Sequence, residues 1–66
     1  MTPEEVKQRV KDIEECVLDD EAAHSMEDEL WFDVLASIAA GLCTNPKACA
    51  EEATKSRELD FARWCA

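Results

Sequence analysis

Residues 25–42, SMEDELWFDVLASIAAGL, form the only stretch apolar enough for the rest of the chain to wrap around. Ser25 followed by Glu27, Asp28 and Glu29 reads as a helix start: a hydroxyl for an unpaired N–H, then carboxylates at the positive end of the dipole. At about 100° per residue, Leu30, Trp31, Phe32, Val34, Leu35, Ala36, Ile38, Ala39 and Leu42 sweep over half the circumference. Only Glu29, Asp33 and Ser37 form a polar strip. A surface helix normally shows an apolar stripe of ~100° or a little more, so this one is expected to need cover on two sides. Gly41, Thr44, Asn45 and Pro46 then punctuate the chain.

Upstream, Thr2-Pro3-Glu4-Glu5 opens a helix with a cap, a first-turn proline and two acids. Val6, Val10, Ile13 and Val17 follow at spacings of four, three and four, and the helix is expected to run from Pro3 to about Ala23. The stripe reads as one face of a bundle helix, with a dimer seam as the alternative. Glu5–Arg9 is an i,i+4 pair along it. Downstream, Asn45-Pro46 repeats the cap-then-proline signal. Two readings of the segment after it compete. In one the helix is continuous and Arg57 lays its stem along the face of Cys49, Ala50, Ala53, Phe61 and Trp64. In the other it breaks near residues 56–60 and restarts with Asp60 as cap. Phe61 and Trp64 are expected to plug the core, or alternatively to form a partner patch.

One glycine, two prolines and no Asn-Gly or Asp-Gly turn argue against hairpins. The expected fold is all-α: a small three-helix bundle in one domain of 66 residues, its central helix spanning about residues 26–42. A domain this small is marginal alone, so a homodimer or a bound partner is a reasonable source of further stability. Met1 is followed by Thr-Pro-Glu-Glu and not by a basic then apolar run, and no apolar stretch nears the ~20 residues of a membrane span. The expectation is a cytoplasmic protein with reduced thiols that does not engage membrane.

The net charge is −9, and it is unevenly spread. Between Lys11 and Lys47 there is no Lys or Arg, whereas ten acids fall in that interval. From Pro46 onward the charges balance. The predicted partner-binding residues are therefore Asp19, Asp20, Glu21, Glu27, Asp28, Glu29 and Asp33, at the corner between the first two helices. Such a corner repels nucleic acid, whose phosphates need clustered Lys and Arg. It attracts a basic protein surface, such as that of a nucleic-acid-binding protein, as a DNA-like competitor would. The bland alternative is that the acids keep a small domain in solution.

Chemistry-bearing patterns are weak. Asp19-Asp20-Glu21 lacks the spacing and glycine of an EF-hand loop. Glu21-Ala-Ala-His24 has the di-iron Glu-x-x-His spacing, but such a site needs a second motif and two more Glu, and the chain has one His. His24 is instead expected at the end of the first helix, near free carbonyls. Cys16, Cys43, Cys49 and Cys65 include no tight Cys-x2-Cys pair for zinc; they read as small buried apolar groups, with disulfides the alternative. A Cys–His dyad would have to use His24, and no orienting third group or phosphate-cradling glycine loop accompanies it. Neither an enzyme nor a cofactor protein is expected.

The ending Leu59-Asp60-Phe61-Ala62-Arg63-Trp64-Cys65-Ala66 resembles those of some small acidic helical proteins encoded by bacteriophages and prophages. The resemblance covers eight residues and carries over no functional residue. It implies a class: short accessory proteins, many of which bind and inhibit a host protein. With the charge pattern, this makes an inhibitor or modulator of a host protein the expected function, against a homo-oligomeric assembly module as the alternative.

Overall fold

The computed structural model describes residues 1–63. It is a three-helix bundle: α1 (Pro3–Glu14), α2 (Asp20–Ala39) and α3 (Pro46–Thr54), followed by a 3-10 turn, Lys55–Glu58. Among the described residues there is no strand. Each helix packs against the other two. At ~1.5 Å per residue, the 20 residues of α2 account for the 33 Å long axis of the molecule.

Local chemistry explains most of the boundaries. The Thr2 hydroxyl accepts from Glu5 N–H, and Asn45 Oδ1 accepts from Ala48 N–H, each with proline in the first turn. α2 ends in a Schellman motif. Leu42 N–H donates to Ser37 O at 2.8 Å and Gly41 N–H to Ile38 O at 3.1 Å, with Gly41 at φ +72°. Among the described residues, that left-handed φ is the one place that requires a glycine.

Two boundaries differ from expectation. α1 stops at Glu14, not near Ala23, and α2 starts at Asp20, not at Ser25. Asp19 is the cap, its carboxylate accepting Ala22 N–H at 3.1 Å, and Asp20 and Glu21 occupy the first turn. The earlier start adds Ala23 to the buried face that Glu27, Leu30 and Val34 already form. Ser25 is then an exposed interior residue. His24 sits within α2, its Nε2 3.5 Å from Asp28, instead of at the end of α1. The third segment does break. α3 gives way to the 3-10 turn and then to extended backbone at Leu59, and no helix restarts at Asp60 among the described residues. Arg57 is exposed.

The core comprises Val6, Ile13, Ala23, Leu30, Val34, Cys49, Ala53 and Phe61. Val10, and Val17 just beyond α1, pack against it, so the stripe faces the core of the bundle. Phe61 plugs the core as expected; Trp64 lies outside the described residues. Arg9 reaches across to Asp33, with Nη1 2.9 Å from Oδ2, in place of its i,i+4 neighbour Glu5. The two-sided cover expected for α2 is incomplete: Phe32 and Leu35 remain 70% and 67% exposed.

Candidate functional site

The seven acids predicted to meet a partner fall into two groups. Four have structural duties. Asp19 caps α2. Asp20 Oδ1 accepts Ala62 N–H at 3.0 Å, holding the C-terminal segment to the start of α2. Asp33 pairs with Arg9. Glu27 is buried, at 2% exposure, and is therefore not part of the surface a partner meets, contrary to expectation.

The fate of Glu27 follows from its partners. Arg63 Nε donates to its Oε1 at 2.7 Å and Arg63 Nη2 to its Oε2 at 3.1 Å. The Ser56 hydroxyl donates to Oε2 at 2.6 Å and in turn accepts from Trp31 Nε1 at 3.0 Å. Arg63 Nη2 also donates to Ser56 O at 2.8 Å, and its guanidinium lies 3.9 Å from the Phe61 ring centroid. Burial pushes the Glu27 carboxyl up, but the hydrogen bonds from Arg63 and Ser56 and the Arg63 charge outweigh it, and the net shift is downward. Glu27 therefore stays ionised inside the protein. No buried side-chain polar atom among the described residues lacks a partner.

The other three acids are free to act outward. Glu21 and Glu29 are exposed, with no cation in ion-pair range among the described residues, and Asp28 meets only His24. Glu21 and Asp28 lie on the outer face of α2, whereas Glu29 is turned about 80° from it toward α1, beside Arg9 and Asp12. On that face, positions 21, 25, 28, 32, 35 and 39 recur at spacings of four, three, four, three and four. Its first half is acidic and polar (Glu21, Ser25, Asp28) and its second half apolar (Phe32, Leu35, Ala39), with Leu42 beyond. Sequence reading counted Phe32 and Leu35 among residues needing cover. The excess width of the apolar sweep was the signal that some of it stays exposed.

Beside Leu35, a groove between α2 and α3 is lined by Trp31, Val34, Leu35, Ala50, Ala53 and Thr54, with a volume of about 210 Å³. Trp31 Nε1 is turned away to Ala53 O and Ser56 Oγ, so its polar edge makes no demand on an occupant. Among the described residues no group of three or more His, Cys, Asp or Glu side chains is placed to hold a metal. No helix among them is long and apolar enough to cross a membrane. Cys49 is buried beside Cys43, and burial followed by the Cys43 hydrogen bond raises its thiol pKa. Cys65, and with it any pairing to Cys16, lies outside the described residues.

No protein-family model, no curated protein and no solved structure matches this chain.

Proposed function

We propose that this domain is a small acidic protein-binding module, a phage-type inhibitor or modulator that engages a basic surface of a host protein of the nucleic-acid-binding or defence kind. The observation that carries the reading is α2, where Glu21 and Asp28 on the outer face and Glu29 on its flank are exposed with no Lys or Arg in ion-pair range among the described residues. Of the seven Lys and Arg residues, four pair elsewhere: Arg9 with Asp33, Lys47 with Glu51, Lys55 with Glu52 and Arg63 with Glu27. The unpaired acids raise the encounter rate with a basic surface and penalise acidic competitors such as nucleic acid. No covalent step is involved; the domain acts by occupying the surface it binds.

The test is a tagged pull-down from the native host's lysate, followed by affinity measurement on the identified partner at low and high salt. The expected partner has a basic surface, is held tightly at low salt and loosens as salt screens the charges. Combined reversal of Glu21, Asp28 and Glu29 to Lys should abolish that retention. A partner bound equally by wild type and reversed protein at both salts would overturn the reading. A bait that recovers only its own copies would favour the homo-oligomeric alternative, with the exposed Phe32 and Leu35 as its seam.

A further inference from the structure

We infer that the groove between α2 and α3, with the outer face of α2 beside it, docks one amphipathic helix of another protein. That helix places an apolar side chain in the groove and Lys or Arg residues over Glu21 and Asp28. The inference rests on the acidic-module reading and deepens it by naming the form of the partner.

The shape of the site selects the class of occupant. At about 210 Å³ the groove is below the ~300–1,000 Å³ of pockets that enclose small molecules, and it is open. It accommodates a side chain of Leu or Met size. Its α3 wall is low because Ala50 and Ala53 carry only a methyl group, and its α2 wall is the indole of Trp31, anchored by two hydrogen bonds. The described residues offer no strand edge, so an extended peptide has no backbone to pair with. A helix does fit, because the exposed positions 28, 32, 35 and 39 of α2 recur with the four-three spacing through which helices mesh side by side.

Charge decides between a foreign helix and a second copy. The polar end of this face carries two acids, Glu21 and Asp28, and no Lys or Arg. On the α3 side, Lys47 lies 3.6 Å from Glu51 and Lys55 2.8 Å from Glu52, so the nearby cations are matched by their own acids. A second copy would bring a further net charge of −9 against the first. A helix with one apolar side and clustered Lys or Arg meets both halves of the face at once. Burying Phe32 and Leu35 supplies affinity, and the acids set direction and register.

The test uses the full chain, 15N-labelled, titrated with three synthetic helical peptides. The first has Leu at i, i+3, i+4 and i+7 with Lys clustered at one end. The second has the same composition in scrambled order, and the third has every Leu replaced by Ala. The expected result is that only the first perturbs Phe32, Leu35, Ala50 and Thr54 together with Glu21 and Asp28. Leu35→Ser and the groove-filling Ala50→Leu should each weaken it about tenfold or more. Both positions are at least partly exposed, and circular dichroism checks that the variants fold. Equal binding of the Ala peptide, confined to the acids, would overturn the docking inference while leaving the acidic-module reading intact. Groove binding that survives the combined Glu21→Lys, Asp28→Lys and Glu29→Lys substitutions would overturn the charged half of both. Self-association abolished by Leu35→Ser would also overturn the inference, since the occupant would then be a second copy.

Discussion

Arg63 holds Glu27 by a two-pronged pair, Nε to Oε1 at 2.7 Å and Nη2 to Oε2 at 3.1 Å, joining the end of the described chain to the middle of α2. The carboxylate is buried, so removing either partner leaves an uncompensated charge or an unmatched carboxylate. Glu27→Ala and Arg63→Ala are each expected to destabilise the protein by about 3–5 kcal/mol, a large share of what a small domain has. The double variant should cost much less than the sum. Chemical denaturation of the four proteins measures the coupling, and simple additivity would show that the pair is not the unit of stability.

Stability should fall in acid because of the same group. Glu27 has a folded pKa below its ordinary 4.5, so the folded state holds its proton less tightly than the unfolded chain. Its contribution is fully present above pH 4.5 and disappears as the pH falls through the lowered folded value. Thermal unfolding followed from neutral pH downward should show a loss of stability below about pH 4.5 that is smaller in Glu27→Gln. An identical acid profile for the variant would assign the loss to other carboxylates.

The start of α2 can be located by two substitutions. Asp19→Ala removes the oxygen that accepts Ala22 N–H and should cost about 1 kcal/mol. Ser25→Ala, at an exposed interior position, should be neutral or slightly stabilising because alanine is the better helix former. Urea midpoints decide it: the opposite ranking would place the cap at Ser25.

Thiol reactivity should be graded by burial. Cys49 is fully buried, with its pKa raised, whereas Cys16 and Cys43 are partly exposed. Brief alkylation of the native protein, mapped by mass spectrometry, should label Cys16 and Cys43 well before Cys49. Unfolding in denaturant should remove the difference. Rapid native labelling of Cys49 would mean that the α1–α3 contact opens readily.

Much of this architecture was written in local chemistry. Thr2-Pro3 and Asn45-Pro46 announced two helices because caps and first-turn prolines act on their immediate neighbours. Gly41 announced the end of the second because only glycine takes a left-handed φ without a Cβ penalty. The scarcity of turn residues pointed to helices throughout. The site was half legible. Composition marked the acidic interval, but an acid looks the same in a sequence whether it faces a partner or an internal arginine.

Tertiary structure decided what these local signals left open. Asp19 and Ser25 are both competent caps, and the choice went to the one that brought Ala23 onto the buried face. Glu27 became an interior ion because Arg63, 36 residues away, folds back onto it, a pairing no periodicity encodes. Phe32 and Leu35 stayed exposed because α1 and α3 cover the opposite side of α2, and which part of a wide apolar sweep is covered depends on where the other helices lie. The chain alone thus determined helix content, helix ends at strong caps and overall charge, all of which are set within a few residues. Burial, ion pairing and the exposed face arose from contacts between distant residues, and those exist only once the three helices have packed.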